Sequence, residues 1–207
     1  MTDIEYFYSA HSAFAYLGSA RFMEIADAAG CTIVHRPVDL DQVLAAAGST
    51  AFRARSDAHR NYFFKREIMR WSEQRGVPVG GRPRHHDNDT TLSNCMLIAG
   101  AMQGQNVDRL AHALLESHWR YDSDLADHET LLRVGLDSGY DAASLLAAAT
   151  TTAVADAYTA NTRDAIERSM FGSPTYFADG DMFYGQDRLE MLERALTKPY
   201  SREWSGP

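Results

Sequence analysis

The strand signals of this chain sit at its two ends, and everything between them reads as helix. IEYFY (4–8) and CTIVHRPV (31–38) are short runs of β-formers, the second closed by Pro37. The segment from Ser12 to Ala29 favours helix, with Phe14, Leu17, Ile25 and Ala28 on one face and Arg21 interrupting it. Gly30 is placed to end that helix. The opening is therefore β-α-β, which implies parallel strands and a right-handed crossover. From about residue 40 to residue 170 only helical spacing recurs. Phe64, Ile68 and Trp71 mark one helix, stopped by Gly76 and Pro78. Leu92, Met96 and Ala99 mark another, which Asp89 can cap; Val107, Leu110 and Leu114 a third; Leu131, Leu132 and Val134 a short fourth. An alanine-rich stretch after these holds one or two more, and GGRPRHHDND (80–89) is a loop by composition. Strands return at the end, where Asp179-Gly180 is a hairpin dipeptide between Thr175–Ala178 and Met182–Tyr184. Asp187 with Glu190 resembles a capping box, opening a last helix with Leu189, Leu192 and Leu196 on its buried stripe.

Composition narrows the function. The chain has 207 residues, 45% hydrophobic and 23% charged, an ordinary globular balance. A net charge of -8 disfavours nucleic acid, whose phosphates it would repel. No apolar run approaches the roughly 20 residues that span a bilayer, so no membrane partner is expected. MTDIEYF has neither a basic start nor an apolar signal core. Cys31 and Cys95 are far apart and form no C-x-x-C, which together with that N-terminus suggests a cytoplasmic setting. Both cysteines read as buried small hydrophobes. His85, His86 and Asp87 are adjacent on one loop without a wider ligand pattern, so no metal is expected.

A β-α-β start and a β-β-α finish around a helical block is the thioredoxin order with an insertion. The fold class expected is α/β, thioredoxin-like, with a large all-helical insertion of the DsbA and kappa type. The thioredoxin-like part is assigned to 1–40 and 171–207, the inserted helical domain to 41–170, and KPYSREWSGP to a surface extension. Three stretches carry a finer likeness: YFYSAHSAFAYLG, ESHWRYDSDLADHETLL and MFGSPTYFADGDMFYGQDRLEML. They resemble the 2-hydroxychromene-2-carboxylate isomerases, relatives of the kappa-class glutathione transferases in the DsbA-like branch of the thioredoxin superfamily. Phe171-Gly172-Ser173-Pro174 and Gly185-Gln186-Asp187-Arg188 match that family's most specific pattern.

The resemblance implies a site built around glutathione. Ala10-His11-Ser12-Ala13 stands where redox members carry C-x-x-C, so no dithiol cycle is available. Ser12 falls on the family's serine, which donates a hydrogen bond to the glutathione sulfur; Ser12 can equally cap the first helix, and the two roles are compatible. Ser173-Pro174 is implied to be a cis bond facing that helix. Gln186, Asp187 and Arg188 are implied to hold the γ-glutamyl end, although Asp187 can also simply cap its helix. Ser49 stands where the family has asparagine, and Ala13 where it has proline. His59 or Arg60 lies near the usual lysine and Tyr62 near the usual tyrosine, while Arg70-Trp71 and Gly76-Val77-Pro78 match. Phe14, Arg60 and Trp119 are the implied substrate-pocket residues, with Trp119 either over the cleft or packed in the core. The implied activity is glutathione-dependent interconversion of 2-hydroxychromene-2-carboxylate-type and trans-o-hydroxybenzylidenepyruvate-type compounds in aromatic catabolism, by a homodimer. A kappa-like glutathione transferase or peroxidase, and a non-catalytic glutathione-binding protein, are the alternatives.

Overall fold

The computed structural model describes residues 3–49 and 54–201. Four strands, β1 (Asp3–Tyr8), β2 (Thr32–Pro37), β3 (Thr175–Ala178) and β4 (Asp181–Tyr184), form one sheet in the order β2-β1-β3-β4. β1 and β2 are parallel; β1 with β3 and β3 with β4 are antiparallel. The β3–β4 hairpin turns on Asp179 (φ 50) and Gly180 (φ 83). Two successive left-handed residues match the twist of the flanking strands, and Asp-Gly tolerates that conformation at little cost. This is the α/β, thioredoxin-like architecture with a helical insertion.

Both faces of β1 are buried. Ile4, Tyr6 and Tyr8 enter the larger core, while Phe7 packs with Val38, Val43, Ala165, Met170 and Phe177 on the opposite side. A strand covered on both faces needs no polar alternation, which is why IEYFY reads as a continuous apolar run. Helix α1 (Ala13–Ala29) crosses over β1 and ends at Gly30, whose φ of 65 is left-handed. Its buried face differs from the expected one. Ala28 is exposed, and Tyr16, Phe22 and Ala26 join Leu17 and Ile25 inside. The helix lies against the sheet and against three other helices, so burial wraps around it rather than following one stripe.

The remaining helices are α2 (Leu40–Ala46), α3 (Asp57–Tyr62), α4 (Ile68–Arg75), α5 (Thr91–Met102), α6 (Asp108–Tyr121), α7 (His128–Asp137), α8 (Ala142–Ala149), α9 (Thr152–Glu167) and α10 (Leu189–Thr197). α3 passes into α4 through a π-helical turn, Phe63–Glu67. That wider turn sets the Phe63 ring against Phe14 and the Phe64 ring against Trp119. α6 and α10 flank α1, and Arg21 sits on that rim, paired with Glu193 at 2.5 Å. Residues Ser93 to Gly100 of α5 are all buried. The larger core runs without a break from Ile4 and Tyr6 through Leu97, Leu110 and Leu114 to Leu145, so the insertion and the strand-bearing part share it. No helix of the described residues is long and apolar enough to cross a membrane.

The expected capping box does not form. Gln186–Arg188 is a 3-10 turn ahead of α10, and no side chain caps that helix. Glu190 instead takes the Arg75 guanidinium at 2.6 Å, and Asp187 pairs with Arg188 at 2.6 Å. An arginine fork offers a carboxylate two donors, where a backbone N–H offers one. α10 is held by burial of Leu189 and Leu192, each worth about 2 kcal/mol.

Candidate active site at the start of the first helix

Ser12 is the N-cap of α1, with extended backbone (φ -70, ψ 122) and 7% of its surface exposed. Its Oγ accepts the Ala15 N–H at 3.3 Å and donates to the Ser173 carbonyl at 3.3 Å. The helix therefore opens with Ser12, Ala13, Phe14 and Ala15, two positions later than the frame Ala10 to Ala13, and neither frame holds a thiol. The Ser173-Pro174 bond is cis. Ser9 ties the two segments together: its N–H donates to Ser173 Oγ at 3.4 Å, and its carbonyl accepts the Ser12 N–H at 2.9 Å.

The next turn is anchored to the same loop, because the Gly185 N–H donates to the Pro174 carbonyl at 2.9 Å. Gln186 is 1% exposed, and its side-chain carbonyl accepts the Arg75 Nε–H at 2.9 Å. Asp187 and Arg188 remain exposed. α1 passes very close to this turn; a Cβ on Gly18 would stand 2.6 Å from the Gln186 Cβ, so only glycine fits there.

The insertion grips the turn before α1 from its far side. Asn94 Oδ1 accepts the Ala10 N–H at 2.9 Å, and the Trp119 indole N–H donates to the His11 carbonyl at 2.9 Å. Trp119 is 1% exposed. It is the floor beneath the turn and packs between Phe64 and the imidazoles, rather than a lid over the cleft. Three histidines converge here. The rings of His11 and His86 meet edge to face at 5.1 Å, and His86 stacks on His118 at 5.5 Å. His118 Nδ1–H donates to the Ser123 carbonyl at 3.0 Å, so His118 Nε2 accepts from His86 Nδ1–H at 3.2 Å. Burial, with the charge of His118, lowers His11 to about 4; burial, with the charges of His11 and His118, lowers His86 to about 2; burial also lowers His118. All three are neutral at pH 7. Among the described residues, no three His, Cys, Asp or Glu side chains converge as metal ligands.

The DsbA-like thioredoxin domain family matches residues 3–197. The chain belongs to that family. This DsbA-like protein is 27% identical over 193 residues to a 2-hydroxychromene-2-carboxylate isomerase of Sphingobium xenophagum, covering 93% of the chain and 97% of the relative. It is equally 27% identical, over 195 residues, to one of Pseudomonas putida, covering 93% of each. A solved 2-hydroxychromene-2-carboxylate isomerase shares its fold with a TM-score of 0.82 at 24% identity, covering 95% of both chains.

Two cavities of the DsbA-like protein flank this region. One, of about 380 Å³, is lined by Arg60, Phe64, Lys65, Met69 and Arg82. Arg60 there pairs with Asp57 and donates to the Arg55 carbonyl at 2.9 Å. The other, of about 620 Å³, is lined by His11, Asp39, His86, Thr90 and Tyr158 among others. Phe14 packs on Phe63 beside the first turn of α1. Ser49 Oγ accepts from Arg55 at 3.3 Å; residues 50–53, which separate them, lie outside the described residues. Ser12, Ser173 and Pro174 are thus brought together, Gln186 to Arg188 occupy the adjoining turn, and Trp119 lies below the surface. Sequence reading passed over Ser9, Asn94, Arg75 and the joint packing of His11, His86 and His118. Asn94 carried a signal: it is an amide inside the apolar run CMLIAG and its approach, where a polar side chain needs a partner.

Proposed function

We propose that this DsbA-like protein is a glutathione-dependent isomerase, interconverting 2-hydroxychromene-2-carboxylate-type and trans-o-hydroxybenzylidenepyruvate-type compounds. The observation that carries the reading is the Ser12 hydroxyl, set at the N-terminus of α1 against the Ser173 carbonyl in a turn that holds no protein thiol. Its two bonds are both 3.3 Å, at the weak end of the range, so the hydroxyl proton is readily turned to a better acceptor. Bound glutathione would supply a thiol whose thiolate adds reversibly to a conjugated carbon, so that a fixed double bond can rotate. The chain's part is to favour the thiolate. Ser12 O–H bonds more strongly to S⁻ than to S–H, and the positive end of α1 adds to that preference, so both lower the thiol pKa. Asp187, exposed beside the cis loop, offers a carboxylate to the γ-glutamyl ammonium. Gln186 is turned toward Arg75, and so contributes through its backbone and by fixing the turn. Arg60 and Lys65, beside Phe64 on the neighbouring cavity, add positive charge that draws an anionic aromatic acid toward the site.

The test is calorimetry with glutathione together with the ultraviolet absorbance of its thiolate. The wild-type protein is expected to bind glutathione and shift it toward thiolate at neutral pH. Ser12→Ala is expected to lose the thiolate signal and about 100-fold in isomerase kcat, with a far smaller change in glutathione affinity. Absence of glutathione uptake by the wild type at millimolar concentration defeats the reading. Free glutathione recovered after each turnover separates an isomerase from a transferase.

A further inference from the structure

The proton of His11 can be located from its neighbours. Because the Ala10 N–H donates to Asn94 Oδ1 at 2.9 Å, the Asn94 amide nitrogen faces Ser9 Oγ at 3.3 Å, Tyr158 Oη at 3.2 Å and Thr90 Oγ1 at 3.5 Å. Ser9 Oγ accepts from that amide and stands 2.9 Å from His11 Nδ1 and 3.5 Å from Thr90 Oγ1, so its own proton is assigned to the shorter contact, with His11 Nδ1. Thr90 Oγ1 stands 3.4 Å from the same nitrogen. A neutral imidazole that accepts at Nδ1 carries its proton on Nε2. The ring borders the cleft of about 620 Å³, one residue from Ser12, and Ser9 touches both His11 and Ser173. The cleft wall carries four carboxylates, Asp39, Asp41, Asp87 and Asp89; Asp39 is bonded with Gln42, Asp87 with Arg82, and Asp89 with Thr91.

We propose that His11 is a catalytic residue of the isomerase, presenting Nε2–H as a neutral hydrogen-bond donor to the carbonyl oxygen of the conjugated substrate. This rests on the function proposed above. When a nucleophile's electron pair forms a bond to the far carbon, the carbon–carbon π bond breaks and its pair moves toward the carbonyl, so negative charge collects on oxygen. On reversal the pair returns and the nucleophile leaves. His11 stabilises that oxygen without giving up its proton, so the addition and its reversal move no proton and nothing is oxidised or reduced; opening of the chromene ring, which breaks its C–O bond and passes the hydroxyl proton to the phenolic oxygen, precedes them. A neutral donor suits a reversible step, because an imidazolium would tend to protonate the oxygen and trap the opened form. Burial keeps His11 neutral against the pull of Asp39 and Asp87.

Three readouts test this. Nitrogen-15 NMR of the wild-type imidazoles, without substrate or glutathione, is expected to show His11 protonated at Nε2 and bare at Nδ1. Calorimetry is expected to give glutathione affinities within about 2-fold of wild type for His11→Leu and His11→Gln. Isomerase kcat is expected to fall about 100-fold in His11→Leu with KM little changed, and about 10-fold less steeply in His11→Gln, which keeps an N–H. A His11 protonated at Nδ1, or a glutathione-binding His11→Leu protein with wild-type kcat, overturns the assignment and leaves the isomerase reading standing. A wild-type protein that takes up no glutathione overturns both, and shows it before any variant is made.

Discussion

His35 and the cluster of His11, His86 and His118 are both buried imidazole sites, yet they are solved in opposite ways. His35 is bonded on both nitrogens, to Tyr8 Oη at 2.8 Å and to Asp108 Oδ1 at 2.7 Å. Asp108 also takes the Asn106 amide at 2.9 Å. Burial pushes the Asp108 carboxyl up, but the hydrogen bonds from His35 and Asn106, with the His35 charge, bring it below its ordinary value. The result joins β2 to the start of α6. Among the described residues, no carboxylate is hydrogen-bonded to the cluster beside Ser12; His11 bonds to the Ser9 hydroxyl, and His86 bonds to His118, which ends on the Ser123 carbonyl. A carboxylate partner makes an imidazole a fixed joint. Its absence leaves rings that resist protonation and keep an N–H to offer.

The largest expected effect breaks the joint. Asp108→Ala leaves the His35 Nε2 without its partner in a site where the side chain is 4% exposed, and is expected to cost about 3 kcal/mol in urea unfolding at pH 7. The next sharpens the contrast through pH. For His11, His86 and His118 the folded pKa lies below the unfolded value of about 6.5, so the unfolded chain binds protons first as pH falls. Their contribution is complete above about pH 6.5 and declines toward the folded values of about 4 for His11 and about 2 for His86. Lowering pH from 7 to 5 is expected to cost about 1–2 kcal/mol for each of His11 and His86, and His86→Phe is expected to remove its share of that loss. Asp108 has the same sign in a lower pH window. Its depressed pKa adds stability above the unfolded carboxylate value of about 3.9, lost only as pH falls through the folded one, so Asp108 is silent between pH 7 and 5, where His112, also lowered by burial, adds to the cluster. Acid unfolding with one slope in wild type and His86→Phe would contradict this. The smallest effect is that of Tyr158→Phe, which removes one acceptor from the Asn94 amide and is expected to cost about 1 kcal/mol, measured the same way, since Ser9 and Thr90 still take that amide.

What could be read in advance was local. The Asp179-Gly180 hairpin, the β-α-β opening and the run of helices are properties of neighbouring residues, and they appear as expected. The buried face of α1 departs from its apolar stripe because burial there depends on α4, α6 and α10, which arrive from far along the chain. The capping box failed for a like reason: Arg75 reaches Glu190 from 115 residues away. Ser12 and Ser173 could be paired in advance only through resemblance, since 161 residues separate them. The histidine cluster leaves no mark in one dimension, because its nearest two members, His86 and His118, are 32 residues apart.

The grip of Asn94 on the Ala10 amide and of Trp119 on the His11 carbonyl has a mechanical corollary. Both are main-chain anchors supplied by the insertion, on either side of one peptide. Swinging the helical block away as a rigid door would tear both loose together. Traffic to and from the pocket must therefore proceed by rearranging rim side chains, with the peptide at the helix entrance staying clamped throughout.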